Sequence, residues 1–123
     1  MKLVRDIPAG GATRIIRGYD ATSITTSDGV VTSSCLIAAD ALLPWPPHAV
    51  AELTAEHVAL LLAHDPEVVI IGTGPRFALP PPAALTAARA KRIGVEVMDT
   101  AAACRTYNVL VGEGRRVVAG LML

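Results

Sequence analysis

The chain has 123 residues, 52% of them hydrophobic, with acidic and basic side chains in balance for a formal net charge of zero. Such a length holds a single domain, residues 1–123, and no second core, and such a composition excludes a disordered chain. Phe77, Tyr19, Tyr107 and Trp45 are the only aromatic residues, and with so few rings and zero net charge a dedicated nucleic-acid binder is set aside. The core is expected to consist of Val, Ile, Leu and Ala. In chain order, residues 1–12 end in Gly10-Gly11 and read as loosely held. β-Branched residues in "TRIIRGY" predict a strand. "SITTSDGVVTSSCLIA", residues 23–38, predicts a β-hairpin in the first third, turning at Asp28-Gly29, with residues 30–37 as its outgoing strand. Trp45 closes the connection that follows. Thr54 is placed to cap a helix over residues 55–63, with Glu56 near its positive end, and His64, Asp65 and Pro66 stop it.

"EVVIIGTG" is a bounded apolar run ending in glycines, the pattern of a buried strand that opens into a loop. Pro82 suits the first turn of a second helix, which ends at Arg92 with Gly94 as its cap. "VEVM" is a short strand, Asp99 or Thr100 caps a third helix, and "RRVVAGLML" is a last strand. A β-rich first third followed by αβαβαβ describes a mixed α/β sandwich. Apolar runs such as residues 58–63 and 68–71 fall far short of the roughly 20 residues a membrane span requires. The opening residues lack the apolar stretch of a secretory signal. Cys35 and Cys104, isolated from each other in sequence, suit a reducing compartment, so the expected location is the cytoplasm.

Gly72-Thr73-Gly74 lies between a strand and a helix, where main-chain N–H groups can cradle an anion with help from Arg76. A dinucleotide fingerprint needs a third glycine where Phe77 stands, and a P-loop needs a Lys-Ser/Thr pair that is missing. The bland reading is that these glycines allow a tight turn. On the third helix, a period of about 100° per residue puts Ala103, Tyr107, Leu110 and Val111 on one face with Cys104 at its edge, and turns Arg105 and Asn108 away. The strand ends at residues 71 and 98 would bring Gly72, Thr73, Gly74 and Arg76 beside Asp99 and Thr100 at the carboxyl edge of the sheet, where open α/β sheets bind ligands. Arg105 would add charge to that crevice, and Asn108 donors and acceptors.

Competing sites are weaker. No histidine accompanies Cys104, so a small buried thiol is expected rather than a nucleophile. His57 and His64 are seven apart on one helix and make no zinc site by themselves. Arg89, Lys91 and Arg92 sit at a helix end, where the dipole accounts for them. No catalytic set, metal or cofactor is therefore assigned.

The combination "IIGTGPR", "GVEVMDTAAACRTYNVL" and "EGRRVVAGL", with Trp45 after the hairpin, resembles the small bacterial and archaeal domain family that includes the mitochondrial complex I assembly factor number three. The resemblance runs from about Ile15 to the end. It implies a three-layer α/β domain around a central mixed sheet with one antiparallel strand. It also implies a non-catalytic role in assembling a respiratory membrane complex, through contact with another protein such as an assembly factor or a complex subunit. A bacterial form, without the organelle-targeting extension of mitochondrial members, is expected. A small-molecule or anion-binding domain, or an enzyme, using the same crevice is the alternative.

Overall fold

The computed structural model describes residues 13–123, so the expectation of loose order for residues 1–12 lies outside the described residues. Two sheets organise the chain. The smaller joins β1 (Ile16–Tyr19), β2 (Ile24–Thr26) and β3 (Gly29–Val31), each antiparallel to the next. The larger is built from β4 (Cys35–Ala38), β5 (Ala41–Pro44), β6 (Val68–Gly72), β7 (Gly94–Met98) and β8 (Val117–Leu121), in the spatial order β5-β4-β8-β6-β7. β6 runs parallel to both β7 and β8, whereas β4 is antiparallel to β8 and to β5. β4 is thus the one strand opposed to the other four, as the family resemblance implies.

The hairpin turns at Ser27-Asp28, with Gly29 at φ +134°, a conformation that side chains with a Cβ rarely adopt. Its outgoing run is shorter than expected. β3 ends at Val31, and Cys35–Ala38 instead enters the large sheet between β5 and β8. The break falls at Thr32-Ser33-Ser34, a polar triplet that marks a loop, but local pattern does not show that the two halves take different partners. β5 is a further departure, since the connection before Trp45 is an edge strand.

Two cores flank the large sheet. On one side Leu36, Val69, Ile71, Val118 and Trp45 meet the buried faces of α1 (Ala55–Leu62) and α2 (Thr86–Ala90). On the other, Ile37, Ile70, Ala119 and Leu121 meet Ala103, Cys104 and Tyr107 of α3 (Thr100–Gly112), and the same core takes in Ile16, Ile24 and Val31 of the small sheet. Helices, sheet, and helix with small sheet form the three layers. Thr54 caps α1 in a reciprocal box: its hydroxyl accepts from His57 N, and His57 Nδ1 accepts from Thr54 N at 3.1 Å. His57 is therefore a capping residue and not merely a solvated one. The second helix departs from expectation at both ends. Residues Pro82–Leu85 form a 3-10 turn before α2, and Arg92 at φ +60° makes the reversal assigned to Gly94, which opens β7 instead.

Candidate functional site

β6 and β7 end side by side, and their paired register carries the chain into two adjoining loops. Thr73 N donates to Met98 O at 2.8 Å, fastening one loop to the other. The Thr73 hydroxyl donates to Arg76 O at 2.6 Å and closes the turn, in which Gly74 holds φ +99°. Thr100 is the centre of the arrangement. Its N–H donates to Gly74 O at 2.9 Å, its hydroxyl oxygen accepts from Gly74 N at 2.8 Å, and the hydroxyl proton goes to Met122 O at 2.6 Å. One buried hydroxyl thus ties the β6 loop, the start of α3 and the residue after β8. The approach is close: a Cβ on Gly72 would lie 2.9 Å from Thr100 Oγ1 and 3.1 Å from Ala103 Cβ, so glycine is required there.

Capping belongs to Asp99 alone, whose Oδ1 accepts from Ala102 N at 2.8 Å. Thr100 was expected to share it, but its hydroxyl is drawn into the tertiary tie. The anion cradle expected at the glycines loses its donors, because Gly74 N, Thr73 N and Thr100 N all bond within the protein, and the Asp99 carboxylate occupies the helix end. A cavity of about 250 Å³ remains beside this knot, lined by Gly74, Pro75 and Thr100 together with Tyr19, Asp20 and Leu123.

Gly72, Thr73, Gly74, Asp99 and Thr100 are thus brought together. Arg76 is on the same loop with an exposed side chain. Arg105 is exposed further along α3, where its Nη1 donates to the Tyr19 hydroxyl. Asn108 does not face solvent as the helical period suggested. Its Oδ1 accepts from Ile16 N at 2.9 Å and its Nδ2 donates to Ile16 O at 2.6 Å, so the amide pairs with β1 as a neighbouring strand would. The contributions of Tyr19, Asp20 and Leu123 were missed. Asp20 had a local signal, since "DATS" suits a side-chain-closed turn: its Oδ1 accepts from Thr22 N and Ser23 N at 2.9 Å. The bond from Thr22 N and the one from the Ser23 hydroxyl hold its carboxyl below the ordinary range. Nothing local placed that turn against the far end of the chain.

Cys104, like Cys35, is a free thiol in the core. Cys104 is 0% exposed, and burial pushes its thiol up to about 12. A helix N-terminus lowers a thiol pKa only where the sulfur faces it in a polar setting, and here burial dominates. Among the described residues no cluster of three or more His, Cys, Asp or Glu could hold a metal, and no helix is long and apolar enough to cross a membrane.

A family model described as "Protein of unknown function (DUF498/DUF598)" matches residues 16–122. The chain belongs to this family. It is 32% identical over 109 residues to the Xenopus tropicalis protein named NADH dehydrogenase [ubiquinone] 1 alpha subcomplex assembly factor 3, an alignment covering 87% of this chain and 60% of that one. The chain therefore spans about 60% of the length of that relative. An uncharacterized Rhodobacter capsulatus protein is 34% identical over 109 residues, covering 87% of this chain and 82% of its own. Among solved structures, a Bordetella parapertussis protein matches with a TM-score of 0.87 and 35% identity over 94% of this chain and 98% of that one. That protein shares the three-layer arrangement, and two glycines of this chain that allow close packing, Gly72 and Gly120, lie inside the residues the family model matches.

Proposed function

We propose that this chain is a cytoplasmic, non-catalytic interaction module that assists assembly of a respiratory membrane complex by binding another protein. The observation that carries the reading is the likeness, over 87% of the chain, to proteins named as assembly factor 3 of NADH dehydrogenase. The surface supports it. Phe77 and Leu79 stand 57% and 77% exposed on the loop leaving the crevice, and large apolar side chains held out in water beside a cavity suit a protein partner. The crevice formed by Gly72, Thr73, Gly74, Arg76, Asp99 and Thr100, flanked by Arg105, is the proposed working surface, and Asn108 supports it by holding β1 in place. Cys104, buried and protonated, has no part in chemistry.

The test is deletion in the native host, followed by the size distribution of the NADH–quinone reductase on native gels and its activity in membranes. Accumulation of partly assembled complex with reduced activity is the expected outcome, restored by the wild-type gene. Fully assembled, fully active enzyme in the deletion strain would remove the proposal. A small apolar ligand in the 250 Å³ cavity is the second reading, favoured by the side chains of Pro75 and Leu123 in its lining.

A further inference from the structure

The outer strands of the two sheets differ in what their free edges offer. β1 is closed at Ile16 by the Asn108 amide. β3 has three residues, and β5 ends on Pro44, which has no N–H to donate. β7 has five residues, contains no proline and is the terminal strand beyond β6. Gly94 N donates to Glu67 O at 3.1 Å, and Met98 O accepts from Thr73 N at 2.8 Å. Both residues therefore direct their main chain inward, and the two-residue period of a strand turns the N–H and C=O of Val95 and Val97 outward. Among the described residues no strand takes up that side.

The edge is also shaped and charged. Leu79, Pro80, Leu85, Arg89 and Val97 line a shallow groove of about 510 Å³ along it. Val95 and Val97, half-buried, pack toward the α2 core. Arg89, Lys91 and Arg92 are exposed at the end of α2, immediately before the strand.

We propose that β7 is a strand-addition site for an extended segment of a partner protein with apolar residues at alternate positions and carboxylates at the end that lies beside the start of β7. The main-chain groups of Val95 and Val97 would continue the sheet, and alternate apolar side chains on the face toward α2 would fill the groove over Leu85 and Val97. The side chains between them share the face of Glu96 and would be uncharged or basic, while carboxylates at the segment's end would meet the three cations at the start of β7. A second copy of this chain fits less well. Pairing two β7 strands about their midpoint sets Glu96 against Glu96 of the other copy, and like charges directly opposite destabilise a strand pair. The inference rests on the partner-binding reading above and adds to the crevice a second contact surface, with the chemistry of the segment that fills it.

The experiment pans the intact protein against displayed random peptides and synthesises the enriched ones. Enriched sequences should carry apolar residues at alternate positions with acidic residues gathered at one end, and the bound peptide should slow amide exchange at Val95 and Val97 while leaving Gly94 and Glu96 unchanged. Val95→Pro removes an N–H that the native sheet does not use, so the protein should fold and bind about tenfold more weakly or worse. Arg89→Glu should weaken binding to a similar degree, which keeps the test decisive if the proline variant does not fold. Absence of enriched peptides, binders that are basic throughout or helix-patterned, or protection at Thr100 with none at Val95 and Val97 would overturn the proposal. So would a dimer in which Val95 and Val97 are protected without peptide. Normal complex assembly in the deletion strain, with peptide binding intact, removes the proposed function and leaves the edge site standing. A deletion defect rescued completely by Arg89→Glu removes the edge site and leaves the proposed function.

Discussion

Thr100 does at the residue scale what no helix wheel can express. Its place beside the glycine loop is legible in the sequence, because two neighbouring parallel strands must end together. Its role as a cap was wrong because the hydroxyl meets Gly74 N and Met122 O at 2.8 and 2.6 Å. Thr100→Val keeps the shape and removes both bonds, leaving two main-chain groups without their partner. The expected cost is about 1–3 kcal/mol in urea denaturation, with Thr100→Ser recovering most of it. Arg105→Ala should change stability by no more than about 0.5 kcal/mol, since the side chain is exposed and bonds only across the surface to Tyr19. The thiols give a pH prediction. Burial raises Cys35, beside Cys104, and Cys104 itself to about 12 from an ordinary 9.0. The unfolded chain releases these protons first, so their contribution to stability is fully present below pH 9.0 and is lost as pH rises toward about 12. The denaturation midpoint should fall over that window, and less steeply in a Cys35→Ala, Cys104→Ala protein. A native protein with a flat alkaline profile would contradict the burial argument. Alkylation of Cys104 near neutral pH should proceed only as fast as the fold opens.

At the scale of elements, two contacts decide how the layers meet. Trp45 lies flat against β8, because a Cβ on Gly120 would stand 2.6–2.8 Å from three of its ring carbons, and its Nε1 donates to His57 O at 3.0 Å. Gly120→Ala must displace the ring or the strand and should cost about 1–3 kcal/mol. In combination with Trp45→Leu the two losses should be less than additive, because they share one contact. On the opposite face Asn108 joins α3 to β1 through both main-chain groups of Ile16. Asn108→Ala should destabilise by about 2 kcal/mol and speed amide exchange at Ile16, whereas Asn108→Asp retains the acceptor and should keep the Ile16 amide slow. Helix and strand existence was legible because each element has its own hydrophobic period. Strand partners were not. The run over residues 30–37 reads as one outgoing strand, yet it divides at Thr32-Ser33-Ser34 between two sheets, since pairing is a property of two segments and only one is visible locally.

The whole molecule depends on its last strand. β8 stands between β4 and β6 in the middle of the large sheet, so both flanking segments wait for the end of the chain before their edges are paired. A protein ended after Gly114 should show no cooperative unfolding transition and no protected amides in β4 or β6. A folded truncation would mean that the two halves of the sheet stand independently. By itself the sequence determined the mixed α/β class, the order of most elements, the cap at Thr54, the buried character of Cys104 and the meeting of Gly72, Thr73, Gly74, Asp99 and Thr100. Each of these follows from local periodicity, capping chemistry, or the rule that parallel strands share an end. Tertiary structure alone decided which strands pair, that Arg14 is buried with Asp28 Oδ2 at 2.7 Å from its Nε, and that Asn108 stands in for a strand. It also decided that the glycine loop spends its donors internally and that Tyr19, Asp20 and Leu123 close the cavity. The reason is the same throughout: a polar group's role is set by the partner within about 3 Å, and for the Thr100, Tyr107 and Asn108 side chains that partner lies between 22 and 93 residues away.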